Sequence, residues 1–177
     1  MIALRYFEPL DFQTLTQWVG SPAFLLQWAG SSFHYPITEA QLKDYVRHAN
    51  QEGANKLIYS VVHKETDKVI GHISLTKIDH RNKSARIGRV LVGEERFRGQ
   101  GLGALMIQEI LKIAFNELKL HRVTLGVFDY NLGAIACYEK AGFTKEGLFR
   151  DTLKYEDIYW SQWEMSILEE EWRQHKQ

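Results

Sequence analysis

The segment of this chain best suited to chemistry is a glycine-rich loop, Arg96-Phe-Arg-Gly-Gln-Gly-Leu-Gly103. Glycine lets the backbone turn tightly and approach a ligand, and the first N–H groups of a helix have no partner inside that helix. Arg96 and Arg98 add positive charge beside these donors. The loop opens into a long amphipathic segment, so the pattern predicts a site for a ligand with several phosphate charges. A plain helix cap is the alternative, but it rarely needs three glycines at alternate positions.

The glycine spacing also matches, formally, the G-x-G-x-x-A form of the dinucleotide-binding motif, in Gly99-Gln-Gly-Leu-Gly-Ala104. Residues 93–98 separate this motif from the preceding strand, and nearly 100 residues come before it. Too little chain follows to build the paired halves of a dinucleotide domain. The sequence also contains no G-x-x-x-x-G-K-[ST] loop for nucleotide hydrolysis. A dinucleotide-dependent oxidoreductase is therefore the weakest interpretation of the loop.

The elements that position this loop follow from hydrophobic periodicity and turn residues. Predicted helices cover residues 11–19, 38–50, 101–118 and 132–141. Predicted strands cover residues 57–63, 68–78, 85–92 and 121–128, with two more between 143 and 168. Since strand, helix and strand follow one another from 85 to 128, we expect a right-handed parallel crossover within a mixed sheet. The even composition, without linkers or repeats, predicts one domain over residues 1–177.

A second motif follows the loop after one predicted strand. It consists of Asn131 and the stretch Ala134-Ile-Ala-Cys-Tyr-Glu-Lys-Ala-Gly-Phe143. With both motifs in this order, most of the chain resembles the GNAT N-acetyltransferase superfamily. The resemblance implies a single-domain α/β (α+β) fold with a splayed mixed sheet flanked by helices, and acetyl-CoA as co-substrate. The flanking sequence is similar to the branch that contains ribosomal-protein alanine, polyamine and some antibiotic acetyltransferases.

The resemblance also implies roles for individual residues. Tyr138 would be the general acid that protonates the CoA sulfur, and a backbone N–H near Leu91 or Val92 would stabilise the oxyanion. The pantetheine arm would lie between the strands that end at Val92 and Phe128, and Asn131 would hydrogen-bond to the cofactor. The implied cofactor-binding set is Leu91, Val92, Arg96, Arg98, Gly99, Gln100, Gly101, Leu102, Gly103 and Asn131. From the residues alone, a core aromatic at Tyr138 and a turn former at Asn131 remain alternatives.

The general base is the part of the mechanism that the sequence leaves open. Several branches of the superfamily carry Glu in the strand before the glycine loop, but Arg86 stands at the corresponding place here. A water chain to solvent could replace it, as could one of four residues, each more often solvated or structural than a base: Glu94, Glu95, Asp129 and His72.

Covalent catalysis through Cys137 is a further alternative, with the acetyl group transferred first to sulfur. A free cysteine more commonly behaves as a small buried hydrophobe, so direct transfer between two bound substrates is favoured. The seven histidines show no spacing suited to a metal ion, and the predicted chemistry needs no metal.

These observations predict an acetyl-CoA-dependent N-acetyltransferase that acts on a primary amine of a small molecule or a protein N-terminus. The alternative is a non-catalytic acyl-CoA-binding regulatory module, which Arg86 in place of a carboxylate favours. The choice of acceptor should depend on residues 23–35, whose aromatic side chains could surround a cationic amine. A role in the core or in a dimer interface is at least as common for such a cluster, which comprises Phe24, Trp28, Phe33, His34 and Tyr35.

Composition limits the other partners of this 177-residue chain. It contains 22 Lys+Arg and 22 Asp+Glu, which disfavours nucleic-acid and membrane binding. A single cysteine allows no internal disulfide and fits a reducing compartment. Arg5 and Glu8 interrupt the N-terminal segment where a signal peptide would be apolar. We therefore expect a cytoplasmic protein, and the superfamily suggests a homodimer as one assembly.

Overall fold

The structure, a computed structural model, describes residues 1–175. Within this range the strands are β1 (Ile2–Tyr6), β2 (Leu57–His63), β3 (Lys68–Asp79), β4 (Ser84–Val92), β5 (Arg122–Phe128), β6 (Thr144–Tyr155) and β7 (Ile158–Leu168). The helices are α1 (Phe12–Trp18), α2 (Pro22–Ala29), α3 (Glu39–Val46), α4 (Leu102–Lys112), α5 (Leu132–Lys140) and α6 (Glu169–His175). None of these described helices is long and apolar enough to cross a membrane. The predicted domain extends to residue 177, but residues 176–177 lie outside the described part of the chain.

All the described strands belong to one mixed sheet in the order β1-β2-β3-β4-β5-β7-β6. Neighbouring strands are antiparallel except β4 and β5, which are parallel and are connected through α4. The predicted α/β fold, mixed sheet and crossover are therefore confirmed.

The parallel pair is short. β4 and β5 pair only between Ser84–Arg86 and Arg122–Thr124, and beyond this point the strands separate. The pairing of β4 with β3 shifts register opposite His72 and Ser74, where Arg89 takes a left-handed φ of 51°. Such a bulge bends a strand and increases its twist, so it turns β4 away from β5. The predicted splay of the sheet thus has a local cause in β4.

Two apolar clusters cover the two faces of the sheet. The larger one contains α4, α5 and the inward residues of the central strands, and the other contains residues of α1, α2 and α3. On α4 the fully buried residues include Met106, Ile107 and Ile110. The spacing of Leu105 from Leu102 and Met106 predicts that it lies on the same apolar face, but it is 43% exposed. The buried face of α4 is therefore rotated relative to the prediction.

Three described elements were absent from the sequence prediction. β1 is a short edge strand, α6 follows the last strand directly, and α2 begins at Ser21-Pro22. Ser21 accepts a hydrogen bond from the Phe24 N–H (3.1 Å), and proline suits the first turn of a helix. Pro22 is therefore the first residue of α2 and not only the residue that stops α1.

The helix predicted over residues 38–50 corresponds to α3, which starts where predicted but ends earlier. Thr38-Glu-Ala-Gln41 is a capping-box pattern, in which the Thr hydroxyl and the Gln side chain bond backbone N–H groups at the helix start. Thr38 does accept a hydrogen bond from the Gln41 N–H (3.3 Å). The Gln41 side chain instead bonds the preceding loop, accepting from the His34 N–H (2.7 Å). The helix ends at Val46 rather than near residue 50, because the backbone leaves the helical conformation at Arg47, whose ψ is 126°. His48 and Asn50 then adopt left-handed conformations with φ of 60°.

Candidate active site

A cavity of about 660 Å³ opens where β4 and β5 separate. Residues 86–92 of β4 and 125–128 of β5 line it, together with α2, the turn after α2, and residues of β3, α5, β6 and β7. The facing edges of β4 and β5 lack a strand partner over this length, because their ladder stops at Arg86 and Thr124. Backbone N–H and C=O groups on these edges can therefore pair with an extended ligand that contains amide groups.

The backbone of β4 directs one donor toward this cavity. The Gly93 N–H donates to the Ile70 carbonyl of β3 (3.0 Å). The Leu91 carbonyl also faces β3, since it lies 2.6 Å from the point where a Cβ on Gly71 would stand. Successive residues of a strand direct their backbone groups to opposite edges, so the Val92 N–H is directed to the β5 side. Of the two predicted oxyanion donors, the Val92 N–H has the suitable direction.

The glycine-rich loop follows the end of β4 and leads into α4. Gly99 and Gly101 have φ of 72° and 79°, conformations that favour glycine. Gly101 is the N-terminal cap of α4, and no side chain caps the helix there. The first-turn N–H groups of α4, including those of Leu102 and Gly103, are thus free to bind an anion.

The two arginines of the loop contact the loop itself. Arg98 donates from Nε to the Val92 carbonyl (3.2 Å) and from Nη2 to the Gly93 carbonyl (3.3 Å). Arg96 lies 3.6 Å from a Glu94 carboxylate oxygen, and its carbonyl accepts a hydrogen bond from the Gln100 side chain. Arg98 therefore fixes the loop against the end of β4, a positioning role that differs from the cofactor contact predicted for it.

Tyr138 reaches the cavity from α5. Its ring is 8% exposed and belongs to the larger core cluster, and the residue also lines the cavity. Burial raises the pKa of the Tyr138 phenol, with a smaller contribution from Cys137. The phenol consequently stays protonated near neutral pH and can act as a proton donor. Its core position and its predicted chemistry are compatible, because the same side chain serves both.

Asn131 begins α5 and also lines the cavity. Its Oδ1 accepts a hydrogen bond from the Ala134 N–H (3.2 Å), which is the geometry of a helix cap. The side-chain NH2 group is left as the donor for a ligand. The structural interpretation of Asn131 and the binding interpretation therefore use different atoms of one side chain.

Cys137 does not line the cavity, although it precedes Tyr138. Burial raises the pKa of its thiol, while the charge of Lys140 partly opposes this. A thiol that stays protonated at neutral pH is a poor nucleophile. The geometry thus favours the small-hydrophobe interpretation of Cys137.

None of the four candidate bases lies in the described lining of the cavity. His72 is 1% exposed and is packed beneath it, where burial, followed by the charge of Arg89, lowers the pKa of the imidazole to about 3. Glu94 and Glu95 face loop arginines at 3.6 Å, and Asp129 is exposed beyond the end of β5. A base would have to be a water molecule or a group on the acceptor itself.

Arg86 occupies the floor of the cavity, where a carboxylate was the family expectation. Its Nη1 lies 2.5 Å from Oε1 of Glu164 on β7 and 3.4 Å from the Thr124 hydroxyl. Glu164 is the glutamate nearest to the expected position, but it belongs to another strand and is paired with Arg86. No local sequence pattern indicates this pair, because the two residues are 78 positions apart along the chain.

The aromatic segment 23–35 is divided between two environments. Phe24 and Trp28 line the cavity, and Trp28 stacks on Phe33 with ring centroids 6.0 Å apart. His34 and Tyr35 are exposed, with the Tyr35 hydroxyl donating to the Gly20 carbonyl (3.3 Å). Part of this segment therefore faces the cavity, part belongs to the core, and part lies on the surface.

The structure brings four predicted site residues to the cavity: Leu91, Val92, Asn131 and Tyr138. The remaining predicted residues lie on the adjoining loop and helix start, outside its lining: Arg96, Arg98, Gly99, Gln100, Gly101, Leu102 and Gly103. Lys77 and Arg89 also line the cavity and were not selected from the sequence. Within residues 1–175, no group of three or more His, Cys, Asp or Glu side chains could hold a metal ion.

Comparison with known sequences agrees with the two motifs and with this geometry. The sequence profile of the acetyltransferase (GNAT) domain matches residues 2–144. This chain belongs to the GNAT acetyltransferase family. The superfamily predicted from the two motifs is therefore confirmed, and so is the expectation of an acetyltransferase, at the level of the family.

Individual relatives of this GNAT chain agree with that assignment. A probable N-acetyltransferase of Bacillus subtilis, YjcK, is 31% identical over 136 residues, covering 76% of this chain and 74% of the relative. An uncharacterised N-acetyltransferase of Bacillus licheniformis, p20, is 32% identical over 155 residues, covering 85% and 83%. A crystal structure of spermidine N-acetyltransferase from Vibrio cholerae with CoA and spermine has a TM-score of 0.82, covering 97% and 98% at 21% identity. This last likeness shows the shared fold.

Proposed function

We propose that this protein transfers the acetyl group of acetyl-CoA directly to a primary amine of a small molecule or a protein N-terminus. The observation that carries the proposal is a single cavity lined by the unpaired edges of β4 and β5 and by the buried phenol of Tyr138. A binding site alone would not require a protonated phenol in the lining of this cavity.

The chain's own residues fit acetyl-CoA as co-substrate. The free N–H groups of the first turn of α4 would bind the pyrophosphate, with Gly99, Gln100 and Gly101 giving the loop its close approach. The edge of β4 up to Val92 and the side-chain NH2 of Asn131 would bind the pantetheine amides. Acetyl-CoA supplies an acetyl group activated as a thioester.

Val92 and Tyr138 supply the two stabilising contacts that the transfer needs. As the amine nitrogen bonds to the acetyl carbon, the Val92 N–H donates to the acetyl oxygen, on which negative charge develops. The C–S bond then breaks, and Tyr138 donates its proton to the sulfur. Solvent takes the proton that the amine loses and returns one to the Tyr138 phenolate. The amine has to arrive in its neutral form, since Arg86 replaces the carboxylate expected of a base.

The test is the release of free CoA thiol from acetyl-CoA in the presence of an amine panel. The panel contains polyamines, aminoglycosides, amino acids, and peptides with Ala or Ser at the N-terminus. We expect acetyl-CoA alone to raise the melting temperature and at least one amine to increase thiol release above hydrolysis. No thermal shift at millimolar acetyl-CoA would refute the proposal.

A non-catalytic acyl-CoA-binding regulatory module is the second candidate, and one observation favours it. The described lining of the cavity contains no Asp, Glu or His side chain that could serve as a base. Such a module would show the thermal shift with acetyl-CoA but no thiol release with any amine.

The proposal also covers the domain organisation, the cellular location and the oligomeric state of the protein. Residues 1–177 would form one acetyltransferase domain, and the protein would be cytoplasmic, where its single cysteine would stay reduced. Leu148, Phe149, Ile158 and Tyr159 are exposed apolar residues of β6 and β7, and they would support a homodimer.

A further inference from the structure

The charged side chains that line the cavity are all positive in the described part of the chain. They are Lys77, Arg86 and Arg89, and no carboxylate accompanies them in the lining. Glu164 neutralises Arg86 from outside the lining. In residues 1–175 neither Lys77 nor Arg89 forms an ion pair. Two uncompensated cations therefore remain at the cavity.

Both cations stand at irregular points of their strands. Lys77 has φ of 49° where β3 shifts register against β4, and Arg89 has φ of 51° at the bulge of β4. Bulges redirect side chains and are common beside active sites. The irregular backbone thus presents one cation from each of two neighbouring strands to the same cavity.

The surroundings of Arg89 lack an anion. Its Cζ lies 4.6 Å from the ring centroid of Tyr45 and 5.4 Å from that of Phe33. Its Nε is buried without a hydrogen-bond partner in the described chain. The neutral His72 and Tyr45 face it from the neighbouring strand and helix. Lys56, which donates to the Tyr45 carbonyl (2.7 Å), is a further cation close enough to interact with Arg89. A partly buried guanidinium without a counter-charge is unfavourable, and an anion in the cavity would relieve this.

From these observations we infer that the acceptor is an amine that also carries an anionic group, a carboxylate or a phosphate, bound by Lys77 and Arg89. This rests on the proposed acetyl transfer. An anionic group would meet two unpaired cations, whereas a polyamine would bring several positive charges beside them. The same positive field keeps the acceptor nitrogen from being held as an ammonium ion, which suits a site without a carboxylate base.

The test compares pairs of amines that differ by the anionic group. Phenylalanine with phenethylamine and tryptophan with tryptamine test the carboxylate. O-phosphoethanolamine with ethanolamine and glucosamine 6-phosphate with glucosamine test the phosphate, and spermidine is the polycation. Thiol release gives kcat/KM, corrected for the free-amine fraction of each compound. We expect at least one anionic amine to exceed its partner and spermidine by about tenfold or more, as a charge-assisted contact provides.

Variants of the two cations connect this preference to the cavity. Lys77→Gln and Arg89→Gln should each lower kcat/KM for the preferred anionic amine by about 10- to 100-fold, mainly through KM. The value of kcat/KM for the partner without the anionic group should fall by much less, and Arg89→Lys should retain part of the preference. Lys68→Gln is the matched control, because Lys68 is an exposed lysine of the same strand outside the cavity. Lys77 is also exposed, so Lys77→Gln decides the matter if Arg89→Gln fails to fold.

Two results would overturn the inference while acetyl-CoA still raises the melting temperature. One is a preference for spermidine or for the amines without the anionic group, and the other is no turnover of any anionic amine. Absence of the thermal shift would instead refute the proposed function.

Discussion

Acid should destabilise this protein through His72. The imidazole is 1% exposed, and its Nε2 shares a hydrogen bond with the Tyr45 hydroxyl (3.1 Å). Its Nδ1 is buried without a partner in residues 1–175, and the rings of Phe7 and Trp28 contact it edge-on. Burial, followed by the charge of Arg89, lowers the pKa of His72 from 6.5 to about 3. The folded protein therefore keeps this imidazole neutral in mild acid.

The size of the effect follows from the difference in proton binding. Below pH 6.5 the unfolded chain binds a proton at His72 and the folded protein does not, so the free energy of unfolding falls as the pH falls. The slope is roughly 1.4 kcal/mol per pH unit, and it continues until the pH approaches the folded pKa of about 3. Between pH 6.5, where the unfolded imidazole is half protonated, and about 4.5 the loss is about 2 kcal/mol, a substantial part of an ordinary total of about 5–15 kcal/mol.

Urea unfolding, followed by tryptophan fluorescence between about pH 7.5 and 4.5, measures this slope. Below about pH 4.5, carboxyl groups also change the free energy of unfolding, so the measurement stops there. Glu146 is one of them, because hydrogen bonds with Arg122 and Ser166 lower its pKa to about 2. His72→Gln removes the titrating group and should flatten the slope. A constant unfolding free energy in the natural protein, or an equal slope in the variant, would refute the reasoning.

Three substitutions test other parts of the structure. Tyr138→Phe should lower kcat by about 100-fold or more while the thermal shift with acetyl-CoA persists, and unchanged thiol release would contradict the acid role. Gly101→Ala should cost about 1–2 kcal/mol in urea unfolding, because φ is 79° although the space is open. Gly133→Ala, equally open but not left-handed, is its control, and equal losses would contradict the argument. Gly93→Ala would place a Cβ within the Trp18 ring and should cost about 1–3 kcal/mol, so an unchanged melting temperature would contradict the packing.

Much of the fold could be predicted because its signals are local. The strands around residues 57–63, 85–92 and 121–128 were identified from β-branched and aromatic runs, and α5 from its end at Gly142, whose φ is 99°. β1 gave a weaker signal, since an edge strand of five residues has little periodicity. On α4, the prediction placed Leu105 on the buried face and left out Ile107, which is fully buried. Both residues lie at the edge of the apolar face, and the sequence does not show which edge packs against another element.

The candidate site also has some features that local sequence predicts and others that depend on contacts between distant segments. Local sequence patterns predict the glycine-rich loop and the helix that carries Tyr138, because each depends on residues close together along the chain. The cap that Asn131 forms at the start of this helix became visible only in the structure. The packing of the strands, by contrast, sets the direction of the Val92 N–H, pairs Glu164 with Arg86, and brings Lys77 and Arg89 into the lining of the cavity. Strand register, bulges and ion pairs between strands depend on which distant segments pair with one another. No local sequence pattern contains that information.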